Sequence, residues 1–444
     1  RVGTNSNQGT GIPGNAGGEK EMISSEQKRT KISAIVRACR IISRMNQARP
    51  EAKKSEMLYY QMLSSYYTRL LNAREEGKFV AAHTVFFPIE ILYAMDIVPM
   101  HTEMTTWMMA LFLGEQAELL SAGADLGLVP EICSPHRGLA GAFSLGALPR
   151  PDVMLWSNLI CDNTAKSGEL VMELNDCPGF FLDHPFQDSE TEVKYLIGEL
   201  EDMIHFLEEK SGHKMDWDKL SEAVARMDRQ IELFREICEL RKSVPSPFSF
   251  QGFLQLLSND YLFPGQLEAI EYLETLRQEL EDMVRDGRGV VSPERFRLMT
   301  LFVPPMYLTG FLEKISQEYG AVSVVEPLFT RWAEGRLDPT KPLESIARKS
   351  FLIPESCRMY GPLEEPALKD IVDCAEQYNV DGAIYWAFIG CRHTCATIKL
   401  FKDILNEVDV PVLTLDCDIV DPTINSEEEI REKLEQFFEL LEDR

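Results

Sequence analysis

The feature that most limits the fold is a strand–helix alternation that occurs twice, on either side of a long stretch that reads as helix alone. In the first half, 78-KFVAAHTVFFP-88 reads as a strand leading into a helix opened by Pro88, where a missing N–H costs nothing. The runs 97-IVPM-100, 152-DVMLW-156 and 179-GFFLD-183 are three more strands, separated by a helical stretch over 104–122, the loop-and-helix opening 128-LVPEICSPHRG-138, and a turn and helix over 158–174. After Pro293 the pattern resumes, with strands at 299-MTLFV-303, 321-AVSVVE-326, 382-GAIYWAFI-389 and 411-PVLTLD-416. Strands joined through helices make parallel sheets. Between the halves, Leu196, Leu200, Met203 and Leu207 recur at helical spacing and form one apolar stripe. The break 243-SVPSPFSFQG-252 separates helices in this region.

The expected fold is therefore α/β: two Rossmann/flavodoxin-like parallel-sheet domains, a helical connecting section and N-terminal helices. The divisions fall at residues 1–20 (a Gly/Asn-rich disordered tail), 21–76 (N-terminal helices), 77–190 (first α/β domain, with Cys133 and Cys161), 191–292 (helical section) and 293–444 (second α/β domain, with Cys391). No fixed repeat period points to a solenoid.

Composition narrows the partners. A formal net charge of −26 argues against nucleic acid or anionic membrane as a general partner, although it leaves room for a local basic pocket. No apolar run has the length of a membrane span, and no secretion-signal pattern opens the sequence. Ten cysteines in a chain of 444 residues then fit a reducing cytoplasm better than a disulfide scaffold.

Which of those cysteines carry chemistry follows partly from position. In an open parallel sheet, ligands bind beyond the carboxyl ends of the strands. Cys161 and Cys391 each follow a strand, and Cys133 precedes a helix in a Pro-flanked loop. A helix N-terminus offers free N–H groups and a positive dipole end that favour a thiolate. The competing reading is a buried packing thiol, which suits Cys39, Cys238 and Cys374 within helical patterns. Cys417, between two aspartates, is read as structural, and a ligand role for Cys177 has no support. No CxxC occurs, which weighs against a dithiol couple or a zinc ribbon, and Cys391, His393 and Cys395 lack a second close pair for zinc. The compact ferredoxin cysteine run is missing, and so is a phosphate loop for ATP hydrolysis. Three thiolates from distant loops plus one open position would suit a [4Fe–4S] cluster, but spacing alone leaves the packing reading open.

Several segments in fixed order add a resemblance: 83-HTVFFPIEILYAMDIVPMHTE-103, 131-EICSPHR-137, 151-PDVMLWSNLICDNTAK-166, 244-VPSPFSFQGF-253, 381-DGAIYWAFIGCRHTC-395 and 414-TLDCDIVDP-422. From about residue 78 onward the chain resembles subunits of the 2-hydroxyacyl-CoA dehydratase and benzoyl-CoA reductase family. The resemblance implies a [4Fe–4S] cluster held by Cys133, Cys161 and Cys391 near the thioester of an acyl-CoA. It places Asn158, Arg137 and Lys166 around the cluster, with turn capping and solvent-facing charge as their plainer readings. Glu103 matches a proton-transferring carboxylate, and His83, which stands beside Val85, is a second catalytic candidate. Val85 departs from the dehydratases, many of which carry a hydroxyl residue there.

The implied chemistry is single-electron chemistry. An ATP-dependent iron–sulfur activator delivers a low-potential electron, a ketyl radical forms at the thioester, and the 2-hydroxyl of a (R)-2-hydroxyacyl-CoA leaves to give an enoyl-CoA. A related second subunit completes a heterodimer. The alternatives are aryl-CoA ring reduction, an electron-transfer homologue with a double-cubane cluster in which Cys357 adds a ligand, and a non-catalytic scaffold, which the presence of all three cysteines disfavours.

Overall fold

A computed structural model describes residues 25–49, 52–159, 161–187, 189–327, 336–352 and 365–444. The expected tail at 1–20 and Cys357 lie outside the described residues. Two helices open the described chain, α1 (Ser25–Gln47) and α2 (Lys54–Asn72). The first sheet and its crossovers follow: β1 (Val80–His83), α3 (Glu90–Ala94), β2 (Val98–His101), α4 (Thr102–Leu113), α5 (Gln116–Asp125), α6 (Ser134–Ser144), β3 (Val153–Ser157), α7 (Asp162–Asn175) and β4 (Gly179–Leu182). The helical stretch expected over 104–122 is divided, because Gly114 adopts φ 65° and ends α4 in a left-handed cap.

Helices α8 (Glu190–Ser211), α9 (Trp217–Leu240), α10 (Phe250–Leu262) and α11 (Leu267–Arg285) form the helical section. The second sheet then contains β5 (Phe296–Leu301), α12 (Thr309–Tyr319), β6 (Ala321–Val325), α13 (Pro342–Leu352), α14 (Glu365–Gln377), β7 (Gly382–Phe388), α15 (Arg392–Glu407), β8 (Val412–Cys417) and α16 (Glu427–Glu442). All eight expected strands are present.

Both sheets are fully parallel and wound alike, in the orders β2-β1-β3-β4 and β6-β5-β7-β8. The central strands are buried on both faces, whereas β4 leaves Phe181 exposed. In β3, Val153 and Leu155 pack with Leu196, Leu200 and Met203 of α8, while Met154 and Trp156 face a second apolar cluster on the opposite side. This period-2 division explains why the strands read as nearly continuous apolar runs.

The segment 244-VPSPFSFQGF-253 serves packing. Phe248 and Phe253 flank the fully buried Arg241 guanidinium, whose carbon lies 5.0 and 5.6 Å from their ring centroids. Arg241 donates at 3.0 Å to buried Glu326, just beyond β6, and so ties α9 to the second sheet.

Candidate functional site

Cys133, Cys161 and Cys391 occupy the same kind of position, each as the residue that caps a helix: α6, α7 and α15. Cys161 and Cys391 follow the third strand of their sheets in chain order, so they are topological counterparts at the edge where parallel sheets bind ligands. Each is held by a threonine three residues on. Thr164 Oγ1 lies 2.6 Å from the Cys161 carbonyl and also against the Ser157 carbonyl at the end of β3. Thr394 Oγ1 lies 3.0 Å from the Cys391 carbonyl and 3.1 Å from that of Phe388, and it accepts the Phe388 N–H at 3.0 Å.

The electrostatics pull in two directions. Burial pushes the Cys161 thiol up to about 12, a charge on Cys391 would add to the rise, and the N–H groups of Asn163 and Thr164 oppose it. Burial also raises Cys391, against donors from the Thr394 and His393 backbone and the Thr394 hydroxyl. Cys133 is pushed well up by burial, then by Cys161, Cys391, Asp418 and Glu103. The three thiols are thus close enough to oppose one another's ionisation, and two already receive donors suited to a thiolate. Among the described residues no three His, Cys, Asp or Glu side chains converge as ligands of a single ion. A polynuclear cluster takes one thiolate per iron, so its ligands stand apart, and a positively charged iron core would offset the burial cost. The donor set fits such a group.

The two halves meet at these cysteines. A Cβ placed on Gly390 would lie 2.9 Å from Cys133 Cα and 3.0 Å from the Cys133 nitrogen. The turn after β7 therefore packs directly on the Cys133 backbone, and only a glycine leaves room there. Ser134 donates from its hydroxyl to Asp418, which also accepts the N–H groups of Val420 at 2.9 Å and Asp421 at 2.8 Å. Arg137 donates at 2.9 Å to Asp421. The start of α6 is thereby clamped to the loop after β8.

Glu103 stands on the first-domain side of the thiols. It is buried, and burial raises its carboxyl to about 7. Oε2 accepts the Thr102 hydroxyl at 2.7 Å, whereas Oε1 has no hydrogen-bond partner and lies 3.9 Å from His136 Nδ1. His136 in turn places Nε2 3.6 Å from Cys161 Sγ and Nδ1 2.8 Å from the Ser167 hydroxyl. Burial lowers His136 to about 4. His101 comes within 3.5 Å of Glu103, but its Nδ1 accepts the Met104 N–H and burial keeps it neutral, so the contact is not an ion pair.

The other expected residues are spread around this centre. Asn158 bridges two loops, donating to the His184 carbonyl at 3.0 Å and accepting the His184 N–H at 2.7 Å. Lys166 is exposed on α7, and Arg137 is engaged by Asp421. His83 is buried, donates from Nδ1 to the Thr84 carbonyl at 3.0 Å, and faces a separate cavity. Cys395 is exposed, with its thiol against the Phe388 carbonyl at 3.3 Å. Sequence reasoning missed His136, Asp418 and Asp421, although all three lie in segments singled out for the resemblance. It also missed the shared Cys-x-x-Thr turn, legible as C-D-N-T and C-R-H-T.

Comparison with known proteins gives the family. The family model described as "2-hydroxyglutaryl-CoA dehydratase, D-component" matches residues 84–441. The chain is 25% identical to a benzoyl-CoA reductase subunit of Thauera aromatica, across 89% of this chain and 96% of that one. It is 23% identical to the (R)-2-hydroxyisocaproyl-CoA dehydratase alpha subunit of Clostridioides difficile and to the (R)-phenyllactyl-CoA dehydratase alpha subunit of Clostridium sporogenes, in each case across 89% of this chain and 98% of the relative. These relatives are subunits of enzymes. With two like-wound sheets bringing three helix-capping cysteines together and a family match spanning most of its length, the chain belongs to the 2-hydroxyglutaryl-CoA dehydratase D-component family.

Proposed function

We propose that this chain is the cluster-bearing catalytic subunit of a two-subunit radical enzyme that dehydrates a (R)-2-hydroxyacyl-CoA to an enoyl-CoA. The observation that carries this reading is the buried Glu103 carboxyl, raised toward neutral pH by burial, lying 3.9 Å from the His136 ring whose other nitrogen contacts the sulfur of Cys161, one of three mutually opposed thiols. Cys133, Cys161 and Cys391 would hold a [4Fe–4S] cluster, which when bound supplies one low-potential electron to the thioester carbonyl. That electron comes from an ATP-dependent iron–sulfur activator, since the sequence carries no phosphate loop of its own. The chain's residues do the remaining work. Glu103 exchanges a proton with the substrate through its unpartnered Oε1, and its burial holds it ready in either protonation state at neutral pH. His136 positions Cys161 by hydrogen bonding to its sulfur. Asn158, Arg137 and Lys166 act around the cluster indirectly, the first two by fixing the loops that surround it.

A related subunit completes the heterodimer. The nine described cysteines form no disulfide with one another, which suits a reducing cytoplasm, and no helix among the described residues is long and apolar enough to cross a membrane. One feature favours a second reading, aryl-CoA ring reduction: Val85, whose N–H donates to Glu103, has no side-chain hydroxyl to offer the site.

The test is anaerobic. Iron and sulfide are counted on the chain reconstituted with its partner, then turnover is measured with activator, ATP, and panels of 2-hydroxyacyl-CoA and aryl-CoA thioesters. About four irons per chain and release of water from the hydroxyacyl series are expected. A full cluster in Cys391→Ala would refute the ligand assignment, and turnover of aryl-CoA alone would select the second reading.

A further inference from the structure

Asp418 follows Cys417, the last residue of β8, and is buried. One of its oxygens, Oδ1, accepts three hydrogen bonds, from the Ser134 hydroxyl, the Val420 N–H at 2.9 Å and the Asp421 N–H at 2.8 Å. Three donors on one oxygen favour a carboxylate over a carboxylic acid, and they oppose the rise that burial imposes on this group. Among the described residues no cation forms an ion pair with it, since Arg137, one turn along α6 from Cys133, is engaged by Asp421 at 2.9 Å. A buried charge without a counterion is expensive. The joint between the two loops does not require one, because a neutral amide oxygen would accept the same three donors.

The carboxylate stands among the cysteine turns. Ser134, its hydroxyl donor, is the residue after Cys133 and the first of α6. The carbonyl of Cys417, the residue before Asp418, accepts the Ile389 N–H at 3.1 Å, and Ile389 precedes the Gly390 that packs on the Cys133 backbone. Asp418 is accordingly one of the groups whose charge opposes ionisation of Cys133. A fixed negative charge beside an iron–sulfur cluster disfavours the added electron, and local charge is one of the levers by which a protein sets a cluster's potential.

We propose that the Asp418 carboxylate, held by three donors beside Cys133, lowers the reduction potential of the cluster bound at Cys133, Cys161 and Cys391 and so makes its electron a stronger reductant toward the thioester carbonyl. The proposal rests on the cluster reading above and adds the residue that sets its redox poise. The couple concerned is one electron, taken from the activator and passed to the thioester, with no bond or proton changing hands at Asp418. As a positioning residue, Asp418 acts on the cluster through Cys133 by its charge and is not a ligand.

The test is an anaerobic redox titration of the cluster-loaded heterodimer without activator, ATP or thioester, followed by the electron paramagnetic resonance of the reduced cluster. Asp418→Asn keeps the accepting oxygen and removes the charge. It should hold as much iron as the unaltered protein and shift the reduction equilibrium at least about tenfold toward the reduced form, a rise of about 59 mV for one electron. Asp418→Glu, which keeps the charge, should restore most of the difference. Arg137→Gln opens the other bond of the same joint but removes a positive charge, so it should move the potential the opposite way. A full cluster at an unchanged potential in Asp418→Asn would overturn the proposal. So would shifts of the same sign in the Asn and Gln variants, which mark a loosened joint, and so would loss of iron in Asp418→Asn, which assigns the carboxylate to holding the loops alone. If the unaltered heterodimer takes up no iron, the cluster reading itself fails and this inference falls with it.

Discussion

Replacing Gly390 by alanine tests how the two halves share one site. The added Cβ would lie 2.9 Å from Cys133 Cα and 3.0 Å from both the Cys133 nitrogen and the Ile132 carbonyl carbon. Ordinary contact begins at 3.4 Å, so one of two backbones must move by about 0.5 Å, and neither is a flexible side chain. Overpacking of this kind costs about 1–3 kcal/mol. It acts where the Cys391 turn meets the Cys133 turn, and 0.5 Å is about the tolerance of a preorganised site. Iron content after anaerobic reconstitution should fall several-fold and the unfolding midpoint of the metal-free chain should drop, whereas Gly310→Ala, which meets nothing within 4 Å, serves as the control. If Gly390→Ala held iron as tightly as the unaltered protein and melted at the same temperature, the contact would not be what brings the cysteines together.

Arg241→Leu should destabilise the fold by about 3–5 kcal/mol in urea unfolding, because it strands Glu326 in the core. Thr164→Val and Thr394→Val should each weaken iron retention, and to a similar extent, since the two hydroxyls hold counterpart turns; a loss confined to one would contradict the equivalence. Glu103→Gln should leave the iron count intact and lower kcat at least a hundredfold. Its pH signature has a definite sign. The folded carboxyl titrates near 7 against an ordinary 4.5, so its stabilising contribution is complete below about 4.5 and is lost as pH rises through 7, a difference of about 3 kcal/mol. Urea midpoints of the metal-free chain at pH 5 and 8 should therefore differ less in the Gln variant.

The strands were readable because burial on both faces of a parallel sheet writes itself as short apolar runs, as at 382-GAIYWAFI-389. The interruption of α4 was not read, because a single Gly114 within an apolar stretch fits a helix until its left-handed backbone is known. At the site, Cys161 and Cys391 were readable from their place after strands. Their link to Cys133 rested on resemblance, since no spacing along the chain encodes a contact between Gly390 and Cys133. His136 was hidden for the same reason: its partners Glu103, Cys161 and Ser167 come from three different elements. Arg137 is a further case: its pairing with Asp421 from the other half is encoded in no spacing along the chain.

The division of the three cysteines, two in the first half and one in the second, makes Cys391 a tethered neighbour of the other two. Its local concentration at the Cys133–Cys161 pair is set by how firmly the halves are joined, which is to say by Ser134 with Asp418 and Arg137 with Asp421. By linkage, whatever binds all three thiols must tighten that joint by the same free energy that the joint lends to binding. If the three thiols hold the proposed cluster, severing Arg137 from Asp421 would weaken its binding without touching a ligand, and loss of the cluster would loosen the molecule along one seam.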